Sequence, residues 1–382
     1  MATEPSDGMF IFKQNRKMRL GHTTGTCAAA ATKAALTMLF SQLPVTDISI
    51  MTPRGTELTL RTEDTSFRRA GASCAVRKDG GDDTDCTHGT LIYSDVSLSD
   101  EGVNIDGGKG VGRVTRNGLD QPIGSAAINR VPREMILNSV KDVCDKFGYR
   151  GGVNVVISAP EGEELAKGTF NPRLGIVGGI SIIGTSGIVE PMSERAIVDT
   201  MRVEMKVRIA SGSRYLLIVP GNYGESFASS HPELKDENSI KCSNFIGEAL
   251  DSALEFGADG VLLVGNIGKM VKLAGGIMNT HSKYADCRME ILAACSVMAG
   301  VDGKTAAKLM DCVTTDDALD VISGTGSLND VMDVMIKKIG SHLDSRVRGK
   351  IRTGAIVISS KYGELCRTDN ADDIMKALVN EE

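Results

Sequence analysis

The sequence contains no tryptophan, and aromatic residues make up only 4% of it. That excludes the stacked aromatic platforms on which single-stranded nucleic acid binds. An excess of positive charge is also missing: 43 Lys and Arg face 49 Asp and Glu, for a net charge of −6. As a whole, so acidic a chain attracts neither nucleic acid nor an anionic membrane, and an anionic ligand must be met by locally placed cations. No stretch is apolar for long enough to span a bilayer. The N-terminal "MATEPSDGMFIFKQNRKMRL" lacks the apolar core and cleavage site of a secretory signal. None of the nine cysteines forms a CxxC pair or a Cys/His cluster with zinc spacing. An odd number of scattered thiols suits a reducing compartment, so a cytoplasmic protein is expected.

Glycine is what the chain has in quantity, 43 residues clustered in loops. At 382 residues the chain exceeds one ordinary core and calls for two domains, or three. Beyond a polar leader, "TGTCAAAATKAALTMLF" predicts a helix from Thr26 to about Phe40, with Ala28, Ala31, Ala35 and Leu39 on one face. Extended runs follow in "TDISIMT", "TELTLRT", "AGASCAVRK" and "TLIYSDVSL". A helix in "PREMILNSVKDVCDKFG" has Pro132 in its first turn and Gly148 as its stop. This half, about 20–189, reads as an α+β domain. After about residue 175 strands alternate with helices: "YLLIV", "DGVLLVG" and "GAIVISS" each run into a glycine turn. "NSIKCSNFIGEALDSALEFG" reads as one helix capped by Asn238 or Ser239. The expectation for 190–382 is an α/β, doubly wound domain with a mostly parallel sheet.

Ligands of open α/β sheets bind beyond the carboxyl ends of the strands. Gly221, Asn222 and Gly224 follow one strand there, and Gly265 and Gly268 flank the end of the next. Glycine lets a nucleoside approach the backbone, although such turns also end strands that bind nothing. Lys269 and Lys272 lie one helical turn apart, so both ammonium groups can face one way, towards a ligand or, as such pairs more often do, towards solvent. His281 precedes a helix whose N-terminus would favour its neutral, proton-accepting form. "GGKGVGRVTR" (107–116), with Lys109, Arg113 and Arg116, reads either as a phosphate-cradling loop or as a glycine-rich hairpin. In "GGDDTDCTHGT" the spacing of Asp82, Asp83 and Asp85 does not suit calcium, and the carboxylates can face ring nitrogens or act as a base. "GHTTGTC" holds three threonines where a helix needs one cap. The surplus at Thr23, Thr24 and Thr26 points to an anionic ligand at the first-turn amides.

Taken together, "GHTTGTCAAAATKAA", "DDTDCTHG", "GGKGVGRVTRNGL", "INRVPREMI", "GISIIGTSGIVEPMS", "VPGNYGE" and "GKMVKLAGGIMNTHSKYADCRMEIL" resemble the CbiD-type cobalt-precorrin-5B (C1)-methyltransferases of anaerobic cobalamin synthesis. The matching pieces run in family order from about residue 20 to 292. Asn266 departs from the pattern, standing where a "GHIGK" version has His. The resemblance implies a two-domain enzyme that uses S-adenosyl-L-methionine as cosubstrate and methylates C1 of a cobalt-containing tetrapyrrole. The cobalt would arrive with the substrate, with no metal site on the protein. On this reading Gly221, Asn222, Gly224, Gly265 and Gly268 serve the cosubstrate, and His281 and Asp83 are the catalytic candidates. Thr23, Thr24, Thr26, Lys109, Arg113, Lys269 and Lys272 would meet the substrate. Further partners are left open between a second copy of the chain and neighbouring pathway enzymes. The alternatives are a phosphoryl-transfer enzyme using 107–116 and a non-catalytic corrinoid carrier.

Overall fold

Small side chains allow one helix to be enclosed almost completely. The structure is a computed structural model that describes residues 9–13, 15–221, 231 and 238–381. Helix α1 (Thr24–Ser41) is capped by Thr23, whose hydroxyl accepts from the Thr26 amide at 3.2 Å. Fourteen of its eighteen residues are buried, every alanine among them. The predicted single apolar face is therefore too narrow, because alanine leaves room for neighbours on nearly every side. One neighbour is helix α2 (Arg130–Phe147), closed by Gly148 at φ 66°. A Cβ on Gly25 would lie 2.7 Å from the Pro132 ring, so glycine permits the approach of the two helices.

On its other side α1 meets a six-stranded sheet. Its strands are β1 (Asp47–Met51), β2 (Glu57–Arg68), β3 (Gly71–Arg77), β4 (Leu91–Ser99), β5 (Val103–Gly107) and β6 (Gly152–Ser158). The order is β1-β2-β3-β4-β6-β5, antiparallel except between β6 and β5. Period-2 alternation turns Cys74, Val76, Ile92 and Val96 towards α1. There Thr32 Oγ1 meets Ser94 Oγ at 2.8 Å and the Cys74 thiol donates to the Ala31 carbonyl. Two-residue ladders pair Gly21–His22 with Ile188–Val189 and Gly110–Val111 with Gly179–Ile180, tying the 176–189 segment to the start of α1 and to the glycine-rich stretch.

From Glu194 onward the rhythm is different. Helix α3 (Glu194–Ala210) leads into β7 (Tyr215–Val219), then β8 (Ser239–Lys241), α4 (Ile246–Phe256), β9 (Gly260–Asn266) and α5 (Ile267–Leu273). Helices α6 (Arg288–Met298), α7 (Gly303–Leu309), α8 (Thr315–Ser323) and α9 (Leu328–Val347) precede β10 (Arg352–Ser359), β11 (Gly363–Arg367) and α10 (Ala371–Asn380). The sheet order is β8-β7-β9-β10-β11, parallel through β10 with β11 antiparallel at the edge. Leu216, Ile218, Val261, Leu263, Ala355 and Val357 face a large helical core, while Leu217, Val219, Leu262, Val264, Ile356 and Ile358 face α10. Both faces are covered, which explains the nearly unbroken apolar strands. One expectation fails here. "SIK" is a strand rather than the start of a helix, because Ile240 and Cys242 alternate into the core beside β7.

The protein is thus a mixed α/β structure with mixed sheets, forming two compact units, Met1–Ser193 and Glu194–Glu382. Among the described residues, no helix is long and apolar enough to cross a membrane.

Candidate ligand pocket

In the second unit the connection leaving β7 passes to β8 on one side, and the connection leaving β9 passes to β10 on the other. The crevice between adjacent β7 and β9 is therefore a topological switch point, the usual ligand position in such sheets. Asn266 caps α5 at that point, its carboxamide oxygen accepting from the Gly268 amide at 2.9 Å. That cap is the role of the position at which the sequence departs from the family pattern. One turn on, Lys269 reaches across the crevice. Its Nζ donates to the Pro220 carbonyl, just beyond β7, and at 3.3 Å to the Ser243 carbonyl, just beyond β8. A Cβ on Gly221 would lie 3.6 Å from this Nζ. Burial pulls the Lys269 ammonium below the ordinary lysine range, and the Lys272 charge acts in the same direction.

Lys272 has a different task. It is 2% exposed, and its Nζ donates to the Thr280 carbonyl at 3.0 Å and the Ala285 carbonyl at 2.9 Å. Carbonyl dipoles and Asp286, 3.8 Å away, stand in for the water that burial takes from this side chain. It folds residues 280–286 over α5. Arg288 holds the other side of Asp286 through two bonds, Nε at 2.6 Å and Nη2 at 3.0 Å, and so keeps that carboxyl below its usual range. His281 Nδ1 accepts from the Lys283 amide at 3.1 Å. A backbone amide can only donate, so the proton of the neutral ring sits on Nε2. His281 also lies seven residues before α6, too far to feel its N-terminus. Its free edge is a donor rather than the expected base.

Asn244, Gly268, Lys269, Lys272, Thr280, His281, Ser282 and Arg288 line a pocket of about 220 Å³. Gly268, read as a cosubstrate residue, therefore comes together with Lys269 and Lys272, read as substrate residues, while Gly221 lies beside Lys269 without lining the pocket. Gly265 does not join them. It is buried in β9, where a Cβ would lie 2.7 Å from the Pro220 ring and 3.0 Å from the Met270 sulfur, so its lack of a side chain serves packing. Asn222 and Gly224 lie outside the described residues. Asn244, Thr280, Ser282 and Arg288 were not selected from sequence. Asn244 sits in the segment misread as helix, and its link to Thr280, whose amide donates to the Asn244 carbonyl at 3.0 Å, spans two distant loops.

The first unit rearranges several expectations. Thr26 Oγ1 donates to the Gly187 carbonyl at 2.8 Å and lies 3.1 Å from Thr23 Oγ1. Thr24 Oγ1 donates to the Ile183 carbonyl at 3.2 Å and accepts from the Ile183 amide at 2.9 Å. The Gly25 amide donates to the Ile183 carbonyl as well. All three threonines are at most 8% exposed. The Thr24 and Thr26 hydroxyls staple α1 to residues 183–187 and the Thr23 hydroxyl caps the helix, which explains the surplus without a ligand.

The 107–116 loop is likewise filled by the protein. A Cβ on Gly110, at φ 74°, would strike the Ala159 carbonyl, and one on Gly112 would strike Ile176. Arg113 grips Asp106 through two bonds, 2.6 and 3.1 Å, and donates to the Gly107 carbonyl at 2.6 Å. These glycines allow backbone to approach backbone, so the phosphate-cradle reading gives way to a packing one. Lys109 is exposed. Asp83 accepts from the Met192 amide at 3.1 Å and lies in a different unit from His281. In the neighbouring acidic loop, burial works against ionisation of Asp85. The Lys78 ammonium, 2.6 Å away and 2% exposed, and the Thr87 donors outweigh that burial and hold the carboxyl low.

A crevice at a switch point is where α/β sheets of this kind commonly take small ligands, and its rim of cations and neutral donors suits an anionic group. Comparison with known proteins takes this further. The sequence matches the CbiD family over residues 11–191 and "CbiD, C-terminal domain" over residues 279–369. It is 44% identical over 97% of its length to a Ruminiclostridium cellulolyticum protein named cobalt-precorrin-5B C(1)-methyltransferase, covering 98% of that protein. A Thermoanaerobacter protein of the same name is 44% identical over 94% of this chain and 98% of its own. The crystal structure of the cobalamin biosynthesis protein cbiD from Archaeoglobus fulgidus is 27% identical, covers 72% of this chain and 86% of that one, and aligns with a TM-score of 0.38. The chain belongs to the CbiD family.

Proposed function

We propose that the protein methylates C1 of cobalt-precorrin-5B in cobalamin biosynthesis, with S-adenosyl-L-methionine as the methyl donor. The observation that carries this reading is the 44% identity, over nearly the whole of both chains, to a relative of that name. The donor supplies a methyl group already activated on a sulfonium sulfur. A pair of electrons from ring carbon C1 forms the new C–CH3 bond, and the S–CH3 pair remains on sulfur as S-adenosylhomocysteine. The protein then has to align two ligands and needs no covalent nucleophile.

The second unit is read as a doubly wound, Rossmann-like domain for the cosubstrate, with Gly221 and Gly268 at the strand ends and Asn222 and Gly224 kept as candidates from the sequence. Its pocket fits the carboxylate end of that molecule. It does not fit the sulfonium, since among the described residues Lys269, Lys272 and Arg288 outnumber Asp286, which Lys272 and Arg288 already occupy. The first unit, about 20–189, is read as the corrinoid-facing domain, with Lys109 available to a substrate carboxylate. Asp83 is kept as a candidate proton acceptor, and His281 Nε2 as a donor. The cobalt belongs to the substrate.

The test follows release of S-adenosylhomocysteine with and without cobalt-precorrin-5B. Release that requires the corrinoid, and does not require ATP, is expected. Release of phosphate from ATP with no methyl transfer would overturn the reading.

A further inference from the structure

Among the described residues, four hydrogen-bond donors around the pocket in the second unit have no partner in the protein. Lys269 places two N–H groups on the Pro220 and Ser243 carbonyls, which leaves its third for the pocket. Arg288 binds Asp286 through Nε and Nη2, leaving Nη1. His281 presents Nε2–H, because Nδ1 already accepts from a backbone amide. The Ser282 hydroxyl lines the same space. The carboxylate among these groups, Asp286, lies between Arg288 and Lys272. Lys283 is not a fifth donor, since it pairs with Glu194. Among the described residues, the arrangement lacks a free acceptor bearing negative charge.

We infer that this pocket is a carboxylate anchor, in which Lys269, His281, Ser282 and Arg288 converge on one carboxylate arm of a bound ligand. The inference rests on the proposed methyltransferase function and deepens it. A space of about 220 Å³ admits a carboxylate arm or an amino-acid end, not a whole drug-sized ligand, for which pockets run to roughly 300–1,000 Å³. Two donors on separate side chains can take both oxygens of a carboxylate, and a guanidinium and an ammonium supply the charge-assisted bonds that give such contacts their strength. Lys272, fully engaged below, holds the 280–286 loop so that His281 and Ser282 face the same space. The carboxylate has two possible sources. One is the methionine end of the cosubstrate, and the other is an acetate or propionate arm of the tetrapyrrole.

Four probes separate these sources in calorimetric and absorbance titrations of the full chain. S-adenosylhomocysteine carries a carboxylate, and 5′-methylthioadenosine lacks it. Cobyrinic acid carries several carboxylates, and its heptamethyl ester has none free. The variants are Lys269→Met and Arg288→Gln. The second leaves the Pro220 and Ser243 carbonyls served by Lys269, in case the first disturbs folding. Thermal melts establish that each variant is folded. Each is expected to lose about ten-fold or more in affinity for one carboxylate ligand, while its carboxylate-free counterpart binds as to wild type. Loss confined to S-adenosylhomocysteine assigns the anchor to the cosubstrate, and loss confined to cobyrinic acid assigns it to the tetrapyrrole. If folded variants bind all four probes as wild type does, the anchor is refuted and the methyltransferase reading stands. If wild-type protein binds neither carboxylate ligand, that reading falls and the anchor with it.

Discussion

Replacing Thr26 with valine separates a structural staple from a ligand contact. Valine keeps the branched shape and a similar helix propensity but deletes the hydroxyl. Two interactions are lost: the bond to the Gly187 carbonyl at 2.8 Å and the contact with Thr23 Oγ1 at 3.1 Å. The damage is bounded, because the Gly187 carbonyl still accepts from the Thr23 amide at 3.1 Å and Thr23 Oγ1 still caps the Thr26 amide at 3.2 Å. Thr26 is fully buried, so water does not replace the missing partner. One neutral hydrogen bond and part of a second amount to about 1–2 kcal/mol. For a cooperative unit of this size each kcal/mol shifts Tm by roughly 2–4 °C, so a fall of about 2–8 °C is expected by calorimetry. Methyl transfer per folded molecule should be unchanged. An unaltered Tm together with roughly ten-fold slower methyl transfer would refute the staple and restore the threonines to the active site.

Three other perturbations test the electrostatics and packing. Ser296 Oγ is the one buried side-chain polar atom among the described residues with no hydrogen-bond partner. Ser296→Ala should therefore leave stability unchanged or raise it by up to about 1 kcal/mol in urea unfolding, and a clear loss would reveal a partner. Lys272→Met removes the donor from the Thr280 and Ala285 carbonyls and leaves Asp286 without that neighbour, at an expected cost of about 2–4 kcal/mol in the same assay. A cost below about 1 kcal/mol would show that the loop does not depend on Lys272. Asp79 is held at about 2, first by its bond from Arg19, below the ordinary value of 3.8. A carboxyl lowered on folding stabilises the protein above its unfolded value, and that stability disappears as pH falls through its folded one. The stability gap between wild type and Asp79→Asn should thus be constant above about pH 5 and close between about pH 4 and 2. It should be small, because about a third of Asp79 is exposed. A gap that widens on acidification would contradict the assignment.

Local patterns carried much of the fold. Alternation in "GASCAVR" marks β3, Gly148 marks the end of α2, and unbroken apolar runs mark β7, β9 and β10 as strands covered on both faces. β8 escaped because three residues between Asn238 and a following helix look like a cap, and its strand character depends on β7 beside it. The candidate site was legible in outline. Of the strand-end glycines only Gly268 lines the pocket, together with the lysine pair, whose local spacing marks it in the sequence. Partners were not legible. Nothing near Thr26 in sequence announces Gly187, 161 residues away, and nothing near Lys272 shows that it faces the Thr280 and Ala285 carbonyls rather than solvent. Glycine is ambiguous for the same reason. Gly110 and Gly265 look like ligand glycines, yet what lies against them is Ala159, Pro220 and Met270.

The central claim is methyl transfer to one carbon of one corrinoid. The most direct measurement supplies S-adenosylmethionine with a carbon-13 methyl group, together with cobalt-precorrin-5B and the purified protein, and locates the label by NMR and mass spectrometry. The account predicts a single labelled methyl group on C1, formed in step with S-adenosylhomocysteine. Label at another ring carbon, or a folded protein that leaves the corrinoid unlabelled, would contradict it.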